Sequence, residues 1–89
     1  MLYPFLTLED DTEIVHSEMD ESGCVEVCIE KPVEGGFHSA KCRLPDLRWV
    51  EVEGFSPTEI ANFQELIQRG KPLIMRYAQN GGFENASGF

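Results

Sequence analysis

The sequence predicts an α+β domain: an antiparallel sheet of four to five strands, built as a β-hairpin meander, followed by two C-terminal helices packed on one face. Three observations predict it. Apolar residues recur with period two up to Glu53 and with a period near 3.6 after Gly54. Turn residues at Asp10-Asp11, Gly35-Gly36 and Pro45-Asp46 cut the first part into short runs. The strands precede the helices rather than alternating with them, which favours antiparallel pairing. With 89 residues the chain makes one domain, large enough to bury roughly 60 % of its unfolded surface. That domain is placed at 1–82, with 83–89, rich in Gly, Ser and Asn, read as a flexible tail.

Leu2 to Leu8 and Thr12 to His16 form a first hairpin turning near Asp10-Asp11. Its register stays open, because both faces of the first strand carry apolar residues. Ser17 to Gly23 is polar and acidic, hence a loop. Cys24 to Lys31 then alternates, with Val25, Val27 and Ile29 on one face and Cys24, Glu26, Cys28 and Glu30 on the other. Three β-branched residues at period two favour a strand. Gly35-Gly36 supplies the turn, and Phe37 to Leu44 alternates again. After a tight turn at Leu44-Pro45-Asp46-Leu47, Arg48 to Glu53 gives a further strand with Val50 and Val52 on one face.

Ser56-Pro57-Thr58-Glu59 starts a helix: an N-cap serine, proline at the first helical position and glutamate at the third. Ile60, Phe63, Leu66 and Ile67 form its apolar stripe. Gly70 followed by Pro72 reads as its end, giving a helix 57–69, and Leu73, Ile74, Tyr77 and Ala78 indicate a second, shorter helix closing at Asn80-Gly81-Gly82. The expected core is Val25, Val27, Ile29, Ala40, Cys42, Leu44, Ile60, Phe63 and Ile67.

Cys24-x3-Cys28 and His38-x3-Cys42 resemble two pairs of zinc ligands. Strand register argues against that. Pairing residues whose numbers sum to 69 sets Val25, Val27 and Ile29 opposite Leu44, Cys42 and Ala40. A slip of one residue would set Val27 opposite Arg43 and Ile29 opposite Lys41. In the favoured register Cys28 and Cys42 lie on opposite faces. Cys24 and Cys28 share a face but stand roughly 13 Å apart along the strand, against about 4 Å for the sulfurs of one tetrahedral zinc. No metal and no intramolecular disulfide are expected. The odd cysteine count and the lack of a basic, apolar leader at the start point to a reducing compartment and a cytoplasmic protein.

No catalytic residues are assigned. His16-Ser17 and His38-Ser39 put base and hydroxyl on opposite faces of a strand. The acidic clusters lack calcium-loop spacing, no phosphate-binding glycine loop is present, and no cofactor is expected. No apolar run is long enough to cross a bilayer.

Charge is the most informative property. Residues 1–53 carry 13 acidic and four basic side chains, a net of −9, whereas residues 54–89 carry three of each. Such a field repels nucleic acid and anionic membrane and favours a basic partner, although net charge also simply keeps a small protein soluble. The candidate partner-binding residues are Glu9, Asp10, Asp11 and Glu13, together with Trp49, Glu51 and Glu53. Here Trp49 is read as an exposed anchor among carboxylates, on the strand face opposite Val50 and Val52. The competing reading packs Trp49 under a helix or against the first hairpin.

The segments Leu44-Pro-Asp-Leu-Arg-Trp49, Gly54-Phe-Ser-Pro-Thr-Glu-Ile60 and Tyr77-Ala-Gln-Asn-Gly-Gly82 resemble those of small hypothetical proteins of gut Firmicutes. The resemblance implies a bacterial protein and carries over no activity and no catalytic residue. The expectation is therefore an acidic, non-enzymatic binding module for a basic protein, in the manner of an antitoxin or a DNA mimic. The alternatives are a self-associating structural protein forming a homodimer through a sheet edge or the outer face, and an enzyme whose site leaves no sequence signature.

Overall fold

The computed structural model describes residues 1–79. The predicted Asn80-Gly81-Gly82 helix end and the tail 83–89 lie outside the described residues. Five strands, β1 (Leu2–Thr7), β2 (Glu13–Ser17), β3 (Val25–Val33), β4 (Gly36–Leu44) and β5 (Arg48–Glu53), form one sheet in chain order. Every neighbouring pair is antiparallel. One helix, α1 (Pro57–Gln79), follows and covers one face.

The β3–β4 register is the one that burial selects. Val25 pairs with Leu44, Val27 with Cys42 and Ile29 with Ala40, and all six are at most 3 % exposed. Ile14 and His16 on β2 extend this inner face, opposite Ile29 and Val27. Phe63, Ile67, Ile74 and Ala78 of α1 close the core, with Phe55 packed at its end. Ile60, expected in the core, is half-buried at its edge.

The expected helix break at Gly70 is absent: α1 runs 23 residues through both Gly70 and Pro72. Gly70 is a packing glycine, because a Cβ there would stand 3.0 Å from Phe5 Cζ. Pro72 has no N–H to donate to the Gln68 carbonyl four residues earlier. Ile67 before it and Ile74 after it are both fully buried on the same stripe, and that burial carries the helix through. The helix start is as read from sequence. Ser56 Oγ accepts from the Glu59 N–H at 3.1 Å, and the Ser56 N–H donates to Glu59 Oε1 at 2.8 Å.

Both edge strands are bulged. On β1 the pairing steps from Pro4↔Val15 to Leu6↔Ile14, leaving Phe5 as the extra residue. The bulge lets Phe5 reach α1 beside Gly70 while Leu6 pairs with Ile14 on the same face, which reconciles apolar residues on both nominal faces of this strand. On β5 the pairing steps from Cys42↔Trp49 to Lys41↔Glu51, leaving Val50 extra. Lys71 Nζ donates to the Pro45 carbonyl at 2.6 Å and the Met19 N–H to the Ala78 carbonyl at 3.3 Å, so the second half of α1 lies over the β4–β5 turn and the β2–β3 loop.

Candidate functional site

The β5 bulge changes where the candidate anchor points. Trp49 pairs with Cys42 and therefore shares the helix-covered face, whereas Glu51 and Glu53 pair with Lys41 and Ser39 on the bare face. Trp49 is half-buried against the core, and its indole N–H donates to Gln64 Oε1 of α1 at 3.0 Å. The reading of Trp49 as an exposed anchor beside Glu51 and Glu53 is thus corrected: it packs under the helix. A strict period of two from Arg48 to Glu53 could not reveal this, because one extra residue reverses the alternation.

Five of the remaining six candidates converge, and Glu51 stands apart beside Lys41 in the middle of the sheet. Glu9, Asp10 and Asp11 form the β1–β2 turn, with Asp11 in the left-handed region at φ 68°. Glu13 stands opposite Glu30, Glu30 opposite Ser39 and Ser39 opposite Glu53, one row across the bare face at the same end of the sheet. Glu34 lies in the β3–β4 turn beside them. Glu59 joins at the start of α1, since Lys31 Nζ lies 3.5 Å from Asp10 and 4.0 Å from Glu59. Eight carboxylates therefore share this end with one lysine, a net of −7, and that lysine is engaged by two of them. Glu30, Glu34 and Glu59 were missed from sequence. The β3–β4 register carried the signal for Glu30 and Glu34, while Glu59 required the path from β5 into the helix.

At the other end charges nearly balance. Glu18, Asp20, Glu21, Glu26 and Asp46 share that end with Arg43, Arg48, Lys71 and Arg76. Asp20 is held below its ordinary carboxylate value, chiefly by the Cys24 N–H at 2.9 Å and then by the Ser22 hydroxyl at 2.7 Å, with Arg43 at 3.1 Å on its second oxygen. Glu51 is drawn toward Lys41 at 3.9 Å, and Lys41 also lies 3.7 Å from Glu26.

The thiols divide as the register requires. Cys42 faces the core, fully buried, and burial pushes it up to about 12. Cys28 is on the bare face, half-buried, and burial also raises it. His16 and His38 face the helix while Ser17 and Ser39 face away. His16 is fully buried among the rings of Tyr3, Phe5 and Tyr77, at centroid distances of 6.0–6.5 Å. Its Nδ1 lies 2.9 Å from the Ser17 carbonyl, and its Nε2 has no hydrogen-bond partner among the described residues. Among the described residues no group of three His, Cys, Asp or Glu side chains could hold a metal ion, and no helix is long and apolar enough to cross a membrane. No family model matches the chain, and no curated protein or solved structure matches it.

Proposed function

We propose that this protein is a small, non-enzymatic binding module that holds a basic protein partner with the acidic end of its sheet. The observation that carries the reading is the gathering of eight carboxylates and one already engaged lysine at that end, while the opposite end is close to neutral. Side chains of one sign gathered on adjoining turns reinforce one another's field, which speeds encounter with an oppositely charged surface. The dense acidity suits a partner whose own ligand is a polyanion, in the manner of an antitoxin or a DNA mimic. The same field repels nucleic acid and anionic membrane.

The test is a pull-down from native lysate at low and high salt, using wild type and the triple variant Glu9→Gln, Asp11→Asn, Glu34→Gln. All three positions are exposed turn residues, so the fold should persist. A basic protein retained by wild type, released by salt and lost from the variant supports the reading, because exposed charges are screened within about 10 Å at 0.1 M salt. Equal retention by both forms overturns it.

A further inference from the structure

Among the described residues Phe37 is the one aromatic side chain left mostly in water, 66 % exposed. It is the second residue of β4 and pairs with Pro32. Both belong to the bare face, because the next pair, Lys31 and His38, shares the face of Ile29 and Ala40. Pro32 leaves most of the ring uncovered, so packing gives no account of an aromatic residue there. Ser39, two residues further along β4, pairs with Glu30 on one side and Glu53 on the other. Glu30 and Glu53 are thus the two diagonal neighbours of Phe37, about 7–8 Å away between Cα atoms and within reach of an aromatic side chain. Glu34 stands in the adjoining turn. All three carboxylates are exposed, and none takes part in an ion pair among the described residues. Lys31, the one cation at this end, belongs to the helix-covered face and is held by Asp10 and Glu59.

We propose that Phe37 is the aromatic seat of the acidic end, and that it receives an arginine side chain of the basic partner between Glu30 and Glu53. This rests on the basic-partner reading and adds to it the chemistry that the partner presents. The face of an aromatic ring is negative and attracts a cation held within about 6 Å of its centre. A guanidinium suits this site better than an ammonium. It is flat and weakly hydrated, so it stacks on the ring while its edge N–H groups donate to carboxylates on either side. Lysine brings a compact, strongly hydrated charge that the carboxylates hold without help from the ring. The carboxylates therefore set the strength of the encounter, and Phe37 sets the preference for arginine. A second copy of this chain is a poor occupant, since its net charge is −9.

The test measures binding of labelled oligo-arginine and oligo-lysine peptides of equal length, by fluorescence anisotropy at low salt. Phe37→Leu should lower affinity for oligo-arginine by about two- to fivefold, the worth of an exposed cation–π contact, and change that for oligo-lysine less. Phe37→Trp should keep the preference for arginine, because tryptophan is the best ring for a cation. Phe37 is exposed, so the thermal melt of Phe37→Leu should match wild type. The triple variant Glu9→Gln, Asp11→Asn, Glu34→Gln should lose affinity for both peptides. If it does so while Phe37→Leu weakens both peptides equally or neither, or Phe37→Trp loses the preference, this proposal is overturned and the basic-partner reading stands. If wild type holds neither peptide, or the triple variant holds both as well as wild type does, the reading fails and the proposal with it.

Discussion

The ring of Phe5 lies against the backbone of Gly70, so close that a Cβ on Gly70 would stand 3.0 Å from Cζ and 3.2 Å from Cε2. Glycine in a helix interior ordinarily costs about 0.5–1 kcal/mol relative to alanine. Here it lets an edge strand and the only described helix touch. Gly70→Ala alone should therefore fail to stabilise the protein, since the propensity gain is offset by displacement of the ring. In a Phe5→Leu background the obstruction is gone, and the same change should stabilise by about 0.5–1 kcal/mol. Urea unfolding of the four proteins of this cycle measures the coupling. Equal effects of Gly70→Ala in both backgrounds would show that the contact has no energetic weight.

Pro72 gives the opposite expectation. It is exposed, inside the helix, and leaves the Gln68 carbonyl without its helical donor. Pro72→Ala should stabilise by roughly 2 kcal/mol, the ~3 kcal/mol of helix propensity less the ~0.4–1 kcal/mol that proline removes from the unfolded chain's entropy. For a domain of this size that raises Tm by roughly 8–16 °C. A thermal melt with unchanged or lower Tm would mean that the proline fits a bend that the helix needs.

These two residues also explain what the sequence could and could not say. The β3–β4 register was legible because six apolar side chains had to share a face and a slip of one residue would have buried Arg43 or Lys41. The capping box at Ser56 was legible because it is local. Gly70-Lys71-Pro72 carries a local stop signal that tertiary burial of Ile67 and Ile74 overrides, and no local pattern reports such burial. The bulges at Phe5 and Val50 are equally invisible, and the second of them misplaced Trp49. The acidic end was half legible, through the run Glu9 to Glu13. Its other members arrive by pairing and by the chain's return into the helix.

Acid stability should depend on Asp20. Its folded pKa lies below the ordinary value of 3.8 because the Cys24 N–H, the Ser22 hydroxyl and Arg43 favour the carboxylate. A depressed folded pKa means that the unfolded chain binds the proton more readily. The stabilisation is therefore fully present above that ordinary value and is lost as pH falls through the lower, folded one. Asp20→Asn removes the titration while keeping one acceptor oxygen for the loop. The variant should be less stable than wild type at neutral pH, and the gap should narrow as pH drops below 3.8. A gap that is constant with pH would show that the loop needs the shape of the residue and not its charge.

The final expectation concerns Trp49, whose indole N–H donates to Gln64 Oε1 across the sheet–helix boundary. Trp49→Phe keeps an aromatic ring on the inner face and removes that donor. The amide oxygen it leaves is exposed and can be hydrated, so the loss should be about 1 kcal/mol. Trp49→Ala also removes the packing of a large ring against the core. For a residue only half-buried that should cost about 2–3 kcal/mol, below the 3–5 kcal/mol of a fully enclosed tryptophan. As the chain has one tryptophan, native emission reports this site alone. It should be shifted to the blue of the unfolded protein and less accessible to acrylamide. Because Trp49 lies on the helix side, retention of a basic partner by folded Trp49→Phe should match wild type. Loss of that partner with stability intact would return the ring to the binding surface and contradict its placement under α1.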